Sequence, residues 1–66
     1  LNINFKELRD GQYRFVSFSE KKARGLMARY MIDNRITQPN QLRQFDVENY
    51  AFNDALSSED EWIFTR

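Results

Sequence analysis

Asp10 and Gly11 stand between two runs of strand-forming residues, and this dipeptide restricts the chain more than any other pair. A type I′ turn needs positive φ at both central positions, and Asp followed by Gly meets that need at low steric cost. Before the pair, Ile3 and Phe5 alternate with polar residues from Asn2 to Arg9, the period-two pattern of a half-buried strand. After it, Gln12 to Phe18 carries Tyr13, Phe15, Val16 and Phe18. β-Formers on both faces predict a return strand covered on both sides. Tyr13, Phe15 and Phe18 are therefore expected in core packing, since the glycine-rich signature of an RNA-stacking strand is missing.

The periodicity then changes. Ser19 is the expected N-cap of a helix from Glu20 to Arg35. At 100° per residue, Ala23, Leu26, Met27, Tyr30, Met31 and Asn34 share one stripe, which is predicted to face the sheet, with Met27 and Met31 in the core. The opposite arc carries Lys21, Lys22, Arg24, Arg29 and Arg35 around a strip of Gly25, Ala28 and Ile32. Thr37 or Gln38 is placed to cap a short helix from Pro39 to about Gln44, anchored by Leu42 and Phe45, with Pro in the first turn where its missing N–H costs nothing. Tyr50 and Phe52 alternate, Asn53 and Asp54 break the run, Ser57 to Asp60 form a polar loop, and Glu61 to Thr65 complete a second strand pair. The expected fold class is α+β: a β-hairpin, a long amphipathic helix, a short helix and a second β-hairpin.

Length bears on this plan. A 66-residue chain buries only about 60% of its unfolded surface. Conformational entropy of roughly 1.5 kcal/mol per residue sums to about 100 kcal/mol against that small core. With neither Cys nor His, no disulfide or soft-ligand metal site reinforces it. The expectation is one segment, residues 1–66, of a larger single α/β-type fold, with the remainder of the same chain as a partner.

The same composition removes several chemistries. A thiol nucleophile, an imidazole base and the ligands of zinc, haem and iron–sulfur centres are missing. Ser57 and Ser58 have no His to activate them, and Glu59, Asp60 and Glu61 lack the Asn and Gly spacing of a calcium loop, so they read as a solvated loop. No catalytic residue, metal site or cofactor is assigned. No apolar run approaches the roughly 20 residues that span a bilayer, and no signal sequence opens the chain, so a cytoplasmic location without a membrane partner is expected.

The formal charge of zero conceals a separation along the chain. Leu1 to Phe45 sums to plus five and Asp46 to Arg66 to minus five. Within the basic part, Lys21, Lys22 and Arg24 fall in the expected first helical turn, against Glu20 alone. Cations there oppose the helix dipole by a few tenths to about 1 kcal/mol each, an arrangement that suits a docked anion. Gly25 would let that anion, or another backbone, approach closely. A solvated basic face is the plainer reading of the same residues.

The stretch FVSFSEKKARGLMARYMIDN (Phe15 to Asn34), followed by RITQPNQLRQF, resembles the carboxyl-terminal part of the YaaA family of peroxide-stress proteins. Tyr50 and Phe52, the pair Ser57 and Ser58, and Ile63, Phe64 and Arg66 resemble that family's terminus. The resemblance implies the C-terminal segment of a protein of about 250 residues. It also implies a cytosolic protein induced by hydrogen peroxide, which limits damage by free iron and binds DNA through a basic cleft. Lys21, Lys22, Arg24 and Gly25 match the family motif, Arg29 less distinctively, and these are the candidate DNA- or anion-binding residues. DNA contact would be to phosphates and independent of sequence. The alternative is a structural segment of an enzyme whose basic helix start binds a small anionic or phosphorylated ligand.

Overall fold

The computed structural model describes residues 2–66. Its strands are β1 (Asn2–Arg9), β2 (Gln12–Arg14), β3 (Ala51–Phe52) and β4 (Glu61–Thr65), and its long helix is α1 (Ser17–Asp33). Short 3₁₀ turns at Pro39–Gln44, Val47–Asn49 and Asp54–Leu56 connect α1 to β3 and β3 to β4. The strands form one mixed sheet in the order β2-β1-β4-β3. The fold class is α+β.

The turn between β1 and β2 forms as its residues dictate. Asp10 has φ +51° and Gly11 φ +80°, the two left-handed positions of a type I′ turn, and Arg9 pairs with Gln12 across it. The ladder then stops at Arg14. The return strand is thus shorter than the predicted Gln12–Phe18, and Tyr13, Phe15 and Phe18 are 41%, 54% and 82% exposed, not in the core.

Helix α1 begins at Ser17, with Val16 in the N-cap position and no side-chain cap. Ser19 is not the N-cap: it lies inside the first turn of the helix, and its hydroxyl accepts from Arg66 Nη2 at 3.4 Å. The first i→i−4 bond runs from Glu20 N–H to the Val16 carbonyl at 2.8 Å. The helix closes at Asp33, two residues short of the expected end, where Asn34 Nδ2 donates to the Tyr30 carbonyl at 3.0 Å and Arg35 turns left-handed at φ +51°. Ser19 lies by Arg66 near one end of β1 and Arg24 Nη2 donates to Asn4 Oδ1 at 2.9 Å near the other, so α1 runs back along β1.

Between helix and sheet lies an aromatic core. Phe5 packs edge-on to Phe45 and Tyr50, at 6.1 and 5.2 Å between centroids, and stacks on Phe64 at 5.6 Å. Tyr30 meets Phe45 edge-on at 5.3 Å. Such pairs each contribute about 0.5–1.5 kcal/mol beyond their burial. Ala23 and Met27 are the α1 residues buried in this core, with Leu26 and Tyr30 half-buried beside them. Met31, expected in the core, is 37% exposed, and Asn34 is exposed at the C-cap. Met31 sits at the edge of the stripe that Ala23 and Met27 bury, and Asn34 follows the last helical residue.

Leu42 and Phe45 anchor the 3₁₀ turn as predicted. Gln38 is its N-cap, and the Gln41 side chain accepts from the backbone N–H of Thr37 and Gln38 at 2.9 and 3.1 Å. β3 and β4 pair antiparallel, Phe52 opposite Phe64. β4 also pairs parallel with β1, Phe5 opposite Phe64, which puts the two most distant strands of the sequence at the sheet centre.

Candidate functional site

The five candidate residues all lie on α1 and all are exposed. The earlier helix start moves Lys21, Lys22 and Arg24 out of the first turn and into the second. The dipole's influence falls off within the first turn, so the expected clash between cations and helix start does not exist here. What remains is a basic face on a well-formed helix.

Most of these cations already have acidic neighbours. Lys22 Nζ lies 3.5 Å from Glu48 Oε1, Arg24 Nη2 2.9 Å from Glu20 Oε1, and Arg29 Nε 3.4 Å from Asp33 Oδ2. Lys21 makes no ion pair among the described residues. The side chains of Lys22, Arg24 and Arg29 are 57%, 52% and 79% exposed. Ion pairs in such positions contribute about 0–1 kcal/mol. They are weak enough for a phosphate to displace, because a charge-assisted contact to phosphate replaces the one lost. At Gly25, a Cβ would meet nothing within 4 Å, so the surface above it is open.

A second cluster, around Arg66, ties α1 to the sheet. Glu7 is 5% exposed, and Arg66 Nε and Arg9 Nη2 donate to its carboxylate at 2.7 and 2.6 Å. Arg66 Nη2 donates to the same oxygen as Nε. The hydrogen bond from Arg9, then that from Arg66, holds the Glu7 pKa at about 2, well below its usual range and against the opposing effect of burial. Glu7 in turn raises the Arg66 pKa, and burial raises that of Tyr50.

The Arg66 guanidinium stands 4.6 Å from the Tyr50 ring centroid and donates from Nη1 to the Glu48 carbonyl at 3.1 Å. Glu48 and Asn49 are both left-handed, at φ +57° and +67°, a conformation that is uncommon for a long side chain such as Glu. Arg66 and Lys22 both hold Glu48 there, so Lys22 belongs to both clusters.

Sequence reasoning did not find the Glu7–Arg66 cluster. Its signal was present, since period two places Glu7 on the same buried face as Ile3 and Phe5. Its partner lies 59 residues away, which no local pattern reports. Ser57 has a structural use: its hydroxyl accepts from Ile63 N–H at 2.8 Å and donates to the Asn53 carbonyl at 2.7 Å. Glu59, Asp60 and Glu61 form no cluster able to hold a metal among the described residues. No helix among them is long and apolar enough to cross a membrane.

Comparison with known proteins adds the identity. Residues 1–56 match the family described as Peroxide stress protein YaaA. A UPF0246 protein of Colwellia psychrerythraea is 50% identical over 62 residues, covering 94% of this chain and 24% of the relative. One from Neisseria meningitidis serogroup A is 52% identical with the same coverage. One from Acaryochloris marina is 52% identical over all 66 residues and 26% of its own length. The chain thus spans about a quarter of the length of these relatives. By the extent of the family match and the identity across nearly all its length, the chain belongs to the YaaA family of peroxide stress proteins.

Proposed function

We propose that this chain is the C-terminal part of a cytoplasmic protein of the hydrogen peroxide response that limits damage by free iron and contacts DNA through the basic face of α1. In this reading Lys21, Lys22, Arg24 and Arg29 neutralise backbone phosphates, and Gly25 admits the phosphate backbone close to the helix. The observation that carries the proposal is that these five residues lie exposed on one helix, with the ion pairs of Lys22, Arg24 and Arg29 weak and open to solvent. Contacts of this kind read no bases and position the duplex only.

The test is duplex binding by a full-length family member bearing this segment, with Lys21, Lys22 and Arg24 replaced together by Ala. Binding at low salt is expected to be lost or severely weakened. Undiminished binding overturns the proposal. Loss of inorganic phosphate binding with duplex affinity intact would assign the face to a small anion instead.

A further inference from the structure

We propose that the sheet face bearing Leu8, Tyr13 and Phe15 is covered, in full-length members of the family, by the part of the polypeptide that lies outside these 66 residues. Leu8 and Tyr13 are directly opposed across β1 and β2, and Phe15 follows two residues after Tyr13 on the same side. The three are 52%, 41% and 54% exposed, and the Lys6 ammonium lies 4.9 Å from the Phe15 ring centroid, on the same face. These side chains stand together on one face with one cation beside them, and exposed apolar side chains grouped in this way, rimmed by polar groups, mark contact surfaces.

The sheet itself points to a covering layer. Its central pair, β1 and β4, is parallel, and parallel pairing is characteristic of sheets whose two faces are both covered, whereas antiparallel pairs more often leave one face to solvent. Helix α1 and the Pro39–Gln44 turn cover one face. On the other, Ile63 is already closed to 1% exposure beside the Asp54–Leu56 turn. The layer is therefore built over β4 and missing over β1 and β2.

The occupant follows from length and linkage. The relatives carry about three quarters of their residues outside this segment. A covering element on the same polypeptide meets the patch at the effective concentration of a tethered partner, typically millimolar. A second copy has no such advantage.

The experiment uses a full-length family member, with Leu8→Cys and Phe15→Cys introduced singly and Glu59→Cys as the exposed reference. Maleimide labelling under native conditions is followed at each site by peptide mass spectrometry. Leu8→Cys and Phe15→Cys are expected to label at least about ten-fold more slowly than Glu59→Cys, a protection factor well within local opening energies, at every protein concentration. Labelling at the Glu59→Cys rate overturns the proposal. So does protection that disappears on dilution together with a dimer in sedimentation, which would make a second copy the occupant. Carbene footprinting of the unsubstituted protein guards against variants that misfold: low uptake over residues 8–15 supports the proposal, and uptake equal to that of the 57–61 loop refutes it.

Discussion

Replacing Glu7 by Gln removes a buried charge held by two guanidinium groups, and its effect can be worked from the structure. The Glu7 pKa falls from 4.5 to about 2 on folding, which at roughly 1.36 kcal/mol per unit corresponds to about 3 kcal/mol. Arg9, the larger cause, has a side chain 60% exposed, and solvent screening there trims the figure to about 2–3 kcal/mol. The sign follows from the direction. Because the folded pKa lies below the unfolded one, the stabilisation is complete above pH 4.5 and is lost as pH falls toward 2. By pH 3, more than half has gone. Trp62, the chain's single Trp, is 5% exposed and reports unfolding by fluorescence. Urea unfolding from pH 7 to pH 3 should show wild type losing about 2 kcal/mol more than Glu7→Gln over that range. Parallel stability curves for the two chains would refute the clasp as an energetic element.

Three further outcomes follow from the geometry. Gly25→Ala should stabilise α1 by about 1 kcal/mol in thermal unfolding, since the position is helical and a Cβ meets open space. If phosphate approaches closely above that residue, the same substitution weakens duplex binding while raising stability. Phe45→Ala should cost about 3–5 kcal/mol, because Phe45 is 1% exposed and packs against Phe5, Tyr30 and Phe64. In a 66-residue segment, circular dichroism should show that variant largely unfolded.

Local chemistry made part of this fold legible. The Asp10–Gly11 turn, the alternation in β1, the Ala23–Met27 side of α1 and the Leu42–Phe45 anchors each depend on neighbours within a few residues, and each forms as read. Failures came where distant residues decide. Phe15 and Phe18 carry strand propensity, yet the ladder ends at Arg14 and α1 takes over at Ser17. Ser19 has the right chemistry for an N-cap, but the helix is already under way from Ser17, and its hydroxyl faces Arg66, 47 residues on.

That shift also changed the site. Lys21, Lys22 and Arg24 are exposed on α1 as expected, but in its second turn, so their case now rests on weak, displaceable ion pairs and not on helix-dipole strain. The parallel pairing of β1 with β4 and the Glu7–Arg66 bond join the two ends of the described chain, and periodicity carries no information at that separation.

The central claim, that the basic face of α1 contacts DNA phosphates, is tested most directly by the salt dependence of duplex binding. The measurement compares a full-length family member with its Lys21→Ala, Lys22→Ala, Arg24→Ala triple variant. Each phosphate contact contributes about 0.9 to the slope of log affinity against log salt. Loss of three contacts should therefore make the slope shallower by about 2.7. An unchanged slope, whatever the change in affinity, would contradict the claim.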